Sequence, residues 1–107
     1  MPKSEVKKLI KAFAEILRKN RFAFKNIYLY GSYAKNKATE LSDIDIAVVV
    51  GRLPRDRGYL DKKMELWELT IEADSRIEPI LLEEKDLNEK NGSIMGYEVL
   101  KHGIMIA

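Results

Sequence analysis

Two carboxylates alternate into the start of a hydrophobic strand at Ser42-Asp43-Ile44-Asp45-Ile46-Ala47-Val48-Val49-Val50. A strand that wants burial excludes aspartate, so a pair on one face needs a counter-ion, and a divalent metal is the direct one. Side chains alternate along a strand, which puts Asp43 and Asp45 on one face and Ile44, Ile46, Val48 and Val50 on the other. The two acids stand about 7 Å apart at Cα and can converge on a hard cation such as Mg²⁺ while leaving positions for phosphate oxygens. A third carboxylate on a neighbouring strand would complete the shell. Glu78, an isolated acid within Arg76-Ile77-Glu78-Pro79-Ile80, is the candidate. An EF-hand is excluded, because Ala47 lacks the ligand oxygen and no turn glycine follows it.

Gly31-Ser32 supplies the other half of a reaction site. Glycine permits a tight turn with exposed backbone N–H groups, and a serine at a helix start adds a hydroxyl donor, so the pair can cradle phosphate. Metals facing such a cradle suit in-line attack on a nucleoside triphosphate, with the charge on attacking and leaving oxygens neutralised by two ions about 4 Å apart.

The elements that must position these groups follow from periodicity. Ser4 can cap a helix in which Val6, Leu9, Ile10, Phe13, Ile16 and Leu17 recur at three- and four-residue steps, ending near Lys19. Phe24 to Tyr30 reads as a strand that stops at Gly31. About a dozen small and polar residues with one helical turn precede the second strand, Asp43 to Val50, whose β-branched run places it centrally. Gly51 to Gly58, with Pro54, forms a loop. Leu60, Met64, Trp67 and Ile71 recur on one face and predict a long helix to about Asp74 that packs by that face. Arg76 to Leu82 is a third strand, and Pro79 confines it to an edge or a bulge. Asn91-Gly92-Ser93 opens a last helix, Ile94 to Lys101, with Gly103 as its left-handed stop, and Ile104-Met105-Ile106-Ala107 can add a short strand. His102, at the helix end, complements its dipole when charged and has no catalytic part. The architecture expected is α+β: a single domain, 1–107, with a small mixed sheet and helices packed on one face.

Composition narrows the classes. The 107 residues are 46% hydrophobic and 34% charged, which fits a soluble globular domain, and no apolar run reaches membrane-spanning length. Without cysteine there is no disulfide, and the N-terminus lacks the apolar core of a signal peptide, so the expectation is cytoplasmic. With a net charge of +2 no global field argues for DNA or membrane binding, and the modest charge argues mildly against strong RNA binding.

Gly31-Ser32-Tyr33-Ala34-Lys35-Asn36 followed by Ser42-Asp43-Ile44-Asp45 resembles the signature of the DNA polymerase β nucleotidyltransferase superfamily, and the short chain resembles its minimal, antitoxin-type members. The resemblance implies a polymerase β-like fold, a triphosphate bound by Gly31 and Ser32, two Mg²⁺ ions held by Asp43 and Asp45, and Glu78 as third acid. It further implies ATP as substrate and a HEPN-type toxin as the partner whose hydroxyl receives AMP, with this protein as antitoxin. Two alternatives stay open: a binding module that neutralises its partner by occlusion, and a transferase acting on tRNA or a small-molecule hydroxyl. The base, the acceptor and the choice between homo- and hetero-oligomer are not fixed by sequence. Asn36 stands where the family has glycine, and asparagine best tolerates the positive φ such a turn requires. Glu78 stands where many relatives carry aspartate. Arg52, Arg55 and Arg57, and Lys35 and Lys37, either meet the triphosphate or are solvated, and Tyr33 either reaches the pocket or stands exposed on the turn.

Overall fold

A computed structural model describes residues 1–53 and 55–107; Pro54, part of the expected loop after the second strand, lies outside the described residues. The elements run α1 (Lys3–Lys19), β1 (Asn26–Leu29), α2 (Gly31–Ala34), β2 (Ile44–Val50), α3 (Arg57–Thr70), β3 (Ile77–Glu83), a 3₁₀ turn (Glu84–Asp86), α4 (Ile94–His102) and β4 (Ile104–Met105). The strands form one sheet in the order β3-β2-β1-β4. β1 pairs antiparallel with β2 and with β4, while β3 runs parallel to β2, so the sheet is mixed and β3, with Pro79, is an edge. No helix among the described residues is long and apolar enough to cross a membrane.

α1 buries Val6, Ile10, Phe13, Ala14 and Leu17. Ser4 does not cap it. The Pro2 carbonyl already accepts from the N–H groups of Glu5 and Val6 at 3.0 and 3.1 Å, so the first turn opens before Ser4 and places that residue inside the helix. At the other end Arg21, at φ 57°, reverses the chain in the left-handed region, with Phe22 N–H donating to Leu17 O at 2.9 Å and Arg21 N–H to Arg18 O at 3.0 Å.

The isoleucine face of β2 forms the main core with Ile27, Leu29, Ile77, α1 and the Leu66 and Leu69 side of α3. That reverses the reading of α3. Leu60, Met64, Trp67 and Ile71 are exposed, and Leu66, Leu69 and Thr70 pack inward instead. The helix carries apolar residues on two faces, and periodicity alone does not tell which of them meets the sheet. A second correction concerns the helix layer. α1 and α3 cover the isoleucine face as expected, but Val99 of α4 packs with Ala47, Val49 and Leu82 on the opposite face. Gly103 is no left-handed stop. Its φ is −75°, and glycine is required there because an added Cβ would strike the Val99 carbonyl, to which Gly103 N–H donates at 2.8 Å.

Candidate nucleotidyl-transfer site

The antiparallel register pairs Leu29 with Ile46, and Tyr30 N–H donates to Asp45 O at 3.0 Å. The parallel register pairs Asp45 with Glu78. Tyr30, Asp45 and Glu78 therefore form one row across three strands, and Asp43 lies two residues along β2 on the same face. Behind this row the same face turns apolar at Tyr28, Ala47 and Ile80 and is covered by α4, so the acids sit at the open end of that face.

Electrostatics in the row are repulsive. The Asp45 carboxyl is pushed above its ordinary value, first by burial and then by the charge of Asp43. Glu78 is raised by partial burial, by the charge of Asp43, by a hydrogen bond that its protonated form gives to Asp43, and by Asp45. Among the described residues Glu78 forms no ion pair with nearby Arg76, which is held by Asp74 at 2.7 and 2.9 Å. Among the described residues no three acids, imidazoles or thiols already stand in a closed metal-binding arrangement. The donor types nevertheless fit Mg²⁺, because Asp45 and Glu78, both raised by burial and by the charge of Asp43, are hard oxygen donors whose repulsion a divalent cation would relieve.

The sign of the pH effect follows. An acid raised in the folded state keeps its proton while the unfolded chain releases it, so stability falls as pH climbs from the ordinary carboxylate value through the raised one. Without divalent cation, Asp45→Asn should therefore melt a few degrees above wild type at pH 7, and the gap should close towards pH 3. In the same melts Mg²⁺ should raise the wild-type midpoint at pH 7 and leave the Asn variant where it was.

The turn that faces the acids begins at Gly31, φ 73°. An added Cβ would run into Asp45 Oδ2 and lie 3.2 Å from Asp45 Cβ and Cγ, so the α-carbon is pressed directly against the carboxylate. No side chain caps α2, which leaves the N–H groups of its single turn pointing outward with no intrahelical partner. Ser32 is the second residue of that turn and half-buried. Tyr33 is neither in the pocket nor exposed: it is 6% accessible and anchors the turn in the main core. Asn36, at φ 58°, takes the left-handed conformation expected of it. Asn36→Gly should leave stability within about 0.5 kcal/mol, whereas Asn36→Val should cost about 1–2 kcal/mol in urea unfolding. Ser42 Oγ accepts from Thr39 N–H at 2.8 Å and closes the loop before β2.

Of the basic candidates, Lys35 pairs with Glu98 of α4 at 2.7 Å and holds that carboxyl below its ordinary value. Arg52, Arg55 and Arg57 follow the far end of β2, about 17 Å of strand from Asp45, so they do not meet a nucleotide at the acids. Arg55 instead lies 3.8 Å from Glu83. Tyr30 is the site residue that sequence reasoning missed. Its phenol is pushed up to about 12 by burial and by Asp45 and Glu78, so it stays a neutral donor beside the acids. Alternation with Tyr28 is the one sequence signal it offers, and its place beside Asp45 comes from the register between strands.

Residues 11–107 match the family model described as polymerase beta, nucleotidyltransferase. A Methanocaldococcus jannaschii protein named "Putative protein adenylyltransferase" is 35% identical over 85 residues, 70% of this chain and 56% of that protein. Another protein of that organism with the same name is 47% identical over 45 residues, 42% of this chain and 45% of its own. The chain thus spans about half the length of the curated relatives it matches. Among solved structures, a "putative nucleotidyltransferase" of Sulfolobus solfataricus superposes with a TM-score of 0.65 at 18% identity, covering 96% of this chain and 80% of that one. A mutant of the MntA-HpeT toxin-antitoxin gives 0.60 at 21% identity, covering 91% and 71%. These structures share the fold, and the chain belongs to the polymerase β nucleotidyltransferase family.

Proposed function

We propose that this protein is a Mg²⁺-dependent nucleotidyltransferase that moves AMP from ATP to a hydroxyl on a partner protein in the cytoplasm. The observation that carries the reading is the in-register pairing of Asp45 with Glu78, with Gly31 of an uncapped turn pressed against the Asp45 carboxylate. Asp43, Asp45 and Glu78 would hold the metal ions, which when bound neutralise the triphosphate and acidify the attacking hydroxyl. The Gly31–Ala34 N–H groups and the Ser32 hydroxyl bind the phosphate tail. Glu78, beside both aspartates, takes the proton released as the acceptor oxygen attacks the α-phosphorus in line and pyrophosphate departs with the electron pair of the broken P–O bond. Tyr30 stays protonated beside Asp45 and Glu78 and so adds no negative charge to the site.

The acceptor is proposed to be a HEPN-type toxin, which makes this protein an antitoxin. Names of the relatives support protein adenylylation, and toxin-antitoxin structures share the fold. The test is incubation of the chain with labelled ATP, Mg²⁺ and the product of the adjacent reading frame. Label on that product identifies the acceptor. A folded partner that gains none, while tRNA or a small hydroxylated compound does, shifts the acceptor, and no transfer to anything defeats the reading.

A further inference from the structure

The outward face of α3 is apolar where a solvated helix should be polar. Leu60, Met64, Trp67 and Ile71 are 55, 54, 45 and 77% exposed. Their positions step by four, three and four residues, the spacing of a two-helix coiled-coil seam, with Leu60 and Trp67 in one set and Met64 and Ile71 in the other. At 3.6 residues per turn this seam lies about 150° around the helix from the buried Leu66 and Leu69, and on one flank Lys63 and Trp67 line a cleft shared with Ile80, Leu82 and Met95.

Charges flanking the seam say what that helix is. Lys63 and Glu68 lie on opposite sides of it and five residues apart, the placement that sets Lys63 of one helix against Glu68 of a parallel copy. Both are exposed, and among the described residues neither forms an ion pair within the chain, whereas neighbouring Lys62 is paired with Glu65 at 3.8 Å. Asp56, which falls opposite Asp61 in the same alignment, is engaged in capping α3, accepting from Gly58 N–H at 2.9 Å. The seam and the Lys63–Glu68 pair are self-complementary, which is the condition for an isologous contact, with the like charges of Asp56 and Asp61 confined to the N-terminal end of the helix.

We infer that α3 is a homodimer interface, in which two copies of this chain pack their α3 helices in parallel about a two-fold axis along the helices. Since α3 is the crossover between parallel strands, its Ile71 end lies at the end of the sheet that carries Asp45 and Glu78. Both acidic sites then open at the same end of the dimer.

Light scattering on the full chain tests this. The expected mass is twice 12.3 kDa. Trp67→Ala should weaken association by about thirtyfold, the loss of one interface hot spot. Lys63→Glu and Glu68→Lys should each weaken it, and the double variant K63E/E68K should restore it, a rescue that misfolded protein cannot show. A chain monomeric up to about 1 mM, or a dimer indifferent to Trp67→Ala and to the charge exchange, overturns the inference. So does a monomeric chain that assembles only with another protein and loses that assembly on Trp67→Ala, because the face would then belong to a foreign partner.

Discussion

Asp45→Asn is expected to lower the rate of nucleotidyl transfer by at least about 10³-fold, a loss of about 4 kcal/mol of transition-state stabilisation, while the chain remains folded. The residue sits at the centre of the row, between Tyr30 on β1 and Glu78 on β3, and its carboxylate is the one packed on the phosphate turn. Replacing one oxygen by an amide keeps the shape and removes a ligand and a charge. Asp43→Asn should fall in the same range, since in the proposed site both carboxylates hold the metal ions. Steady-state transfer with labelled ATP measures both. The same variants separate chemistry from occlusion: if a toxin partner stays fully silenced by Asp45→Asn with no label on it, the protein works by covering its partner, and the transfer reading fails.

Gly31→Ala should be the second most damaging change. The new methyl must occupy a left-handed φ of 73° and displace Asp45 Oδ2, so the loss divides into about 1–2 kcal/mol of stability and about a hundredfold in turnover from a shifted carboxylate. Urea unfolding and transfer assays read the two parts. If contact with Asp45 is the cause, the stability penalty of Gly31→Ala should shrink when Asp45 is already Ala, and strict additivity in that cycle would refute it.

Part of the candidate site is legible in the sequence. Alternation put Asp43 and Asp45 on one face, the lone acid in an apolar run marked Glu78, and the structure pairs Asp45 with Glu78 directly. Asn36 was readable because a positive φ restricts the residue type. Tyr30 was not read, because its place beside Asp45 depends on register between β1 and β2, which no single segment contains. Tyr33 and the α3 seam were misjudged for a related reason: exposure is settled by which face docks, and both stretches carry large apolar residues on more than one face. The arginines after β2 were close to the motif in sequence yet a strand length away in space. Gly103 shows the same limit, since close approach to Val99 is a tertiary fact.

The parallel pairing of β2 and β3 has a kinetic consequence. Asp45 and Glu78 come from distant parts of the chain, and the intervening helix must cross over before they can meet. Closing so large a loop is slow compared with forming a hairpin, so the acids gather late, with the final cooperative collapse. A nascent chain still lacking β3 therefore has the glycine turn and both aspartates but not the third acid of the row.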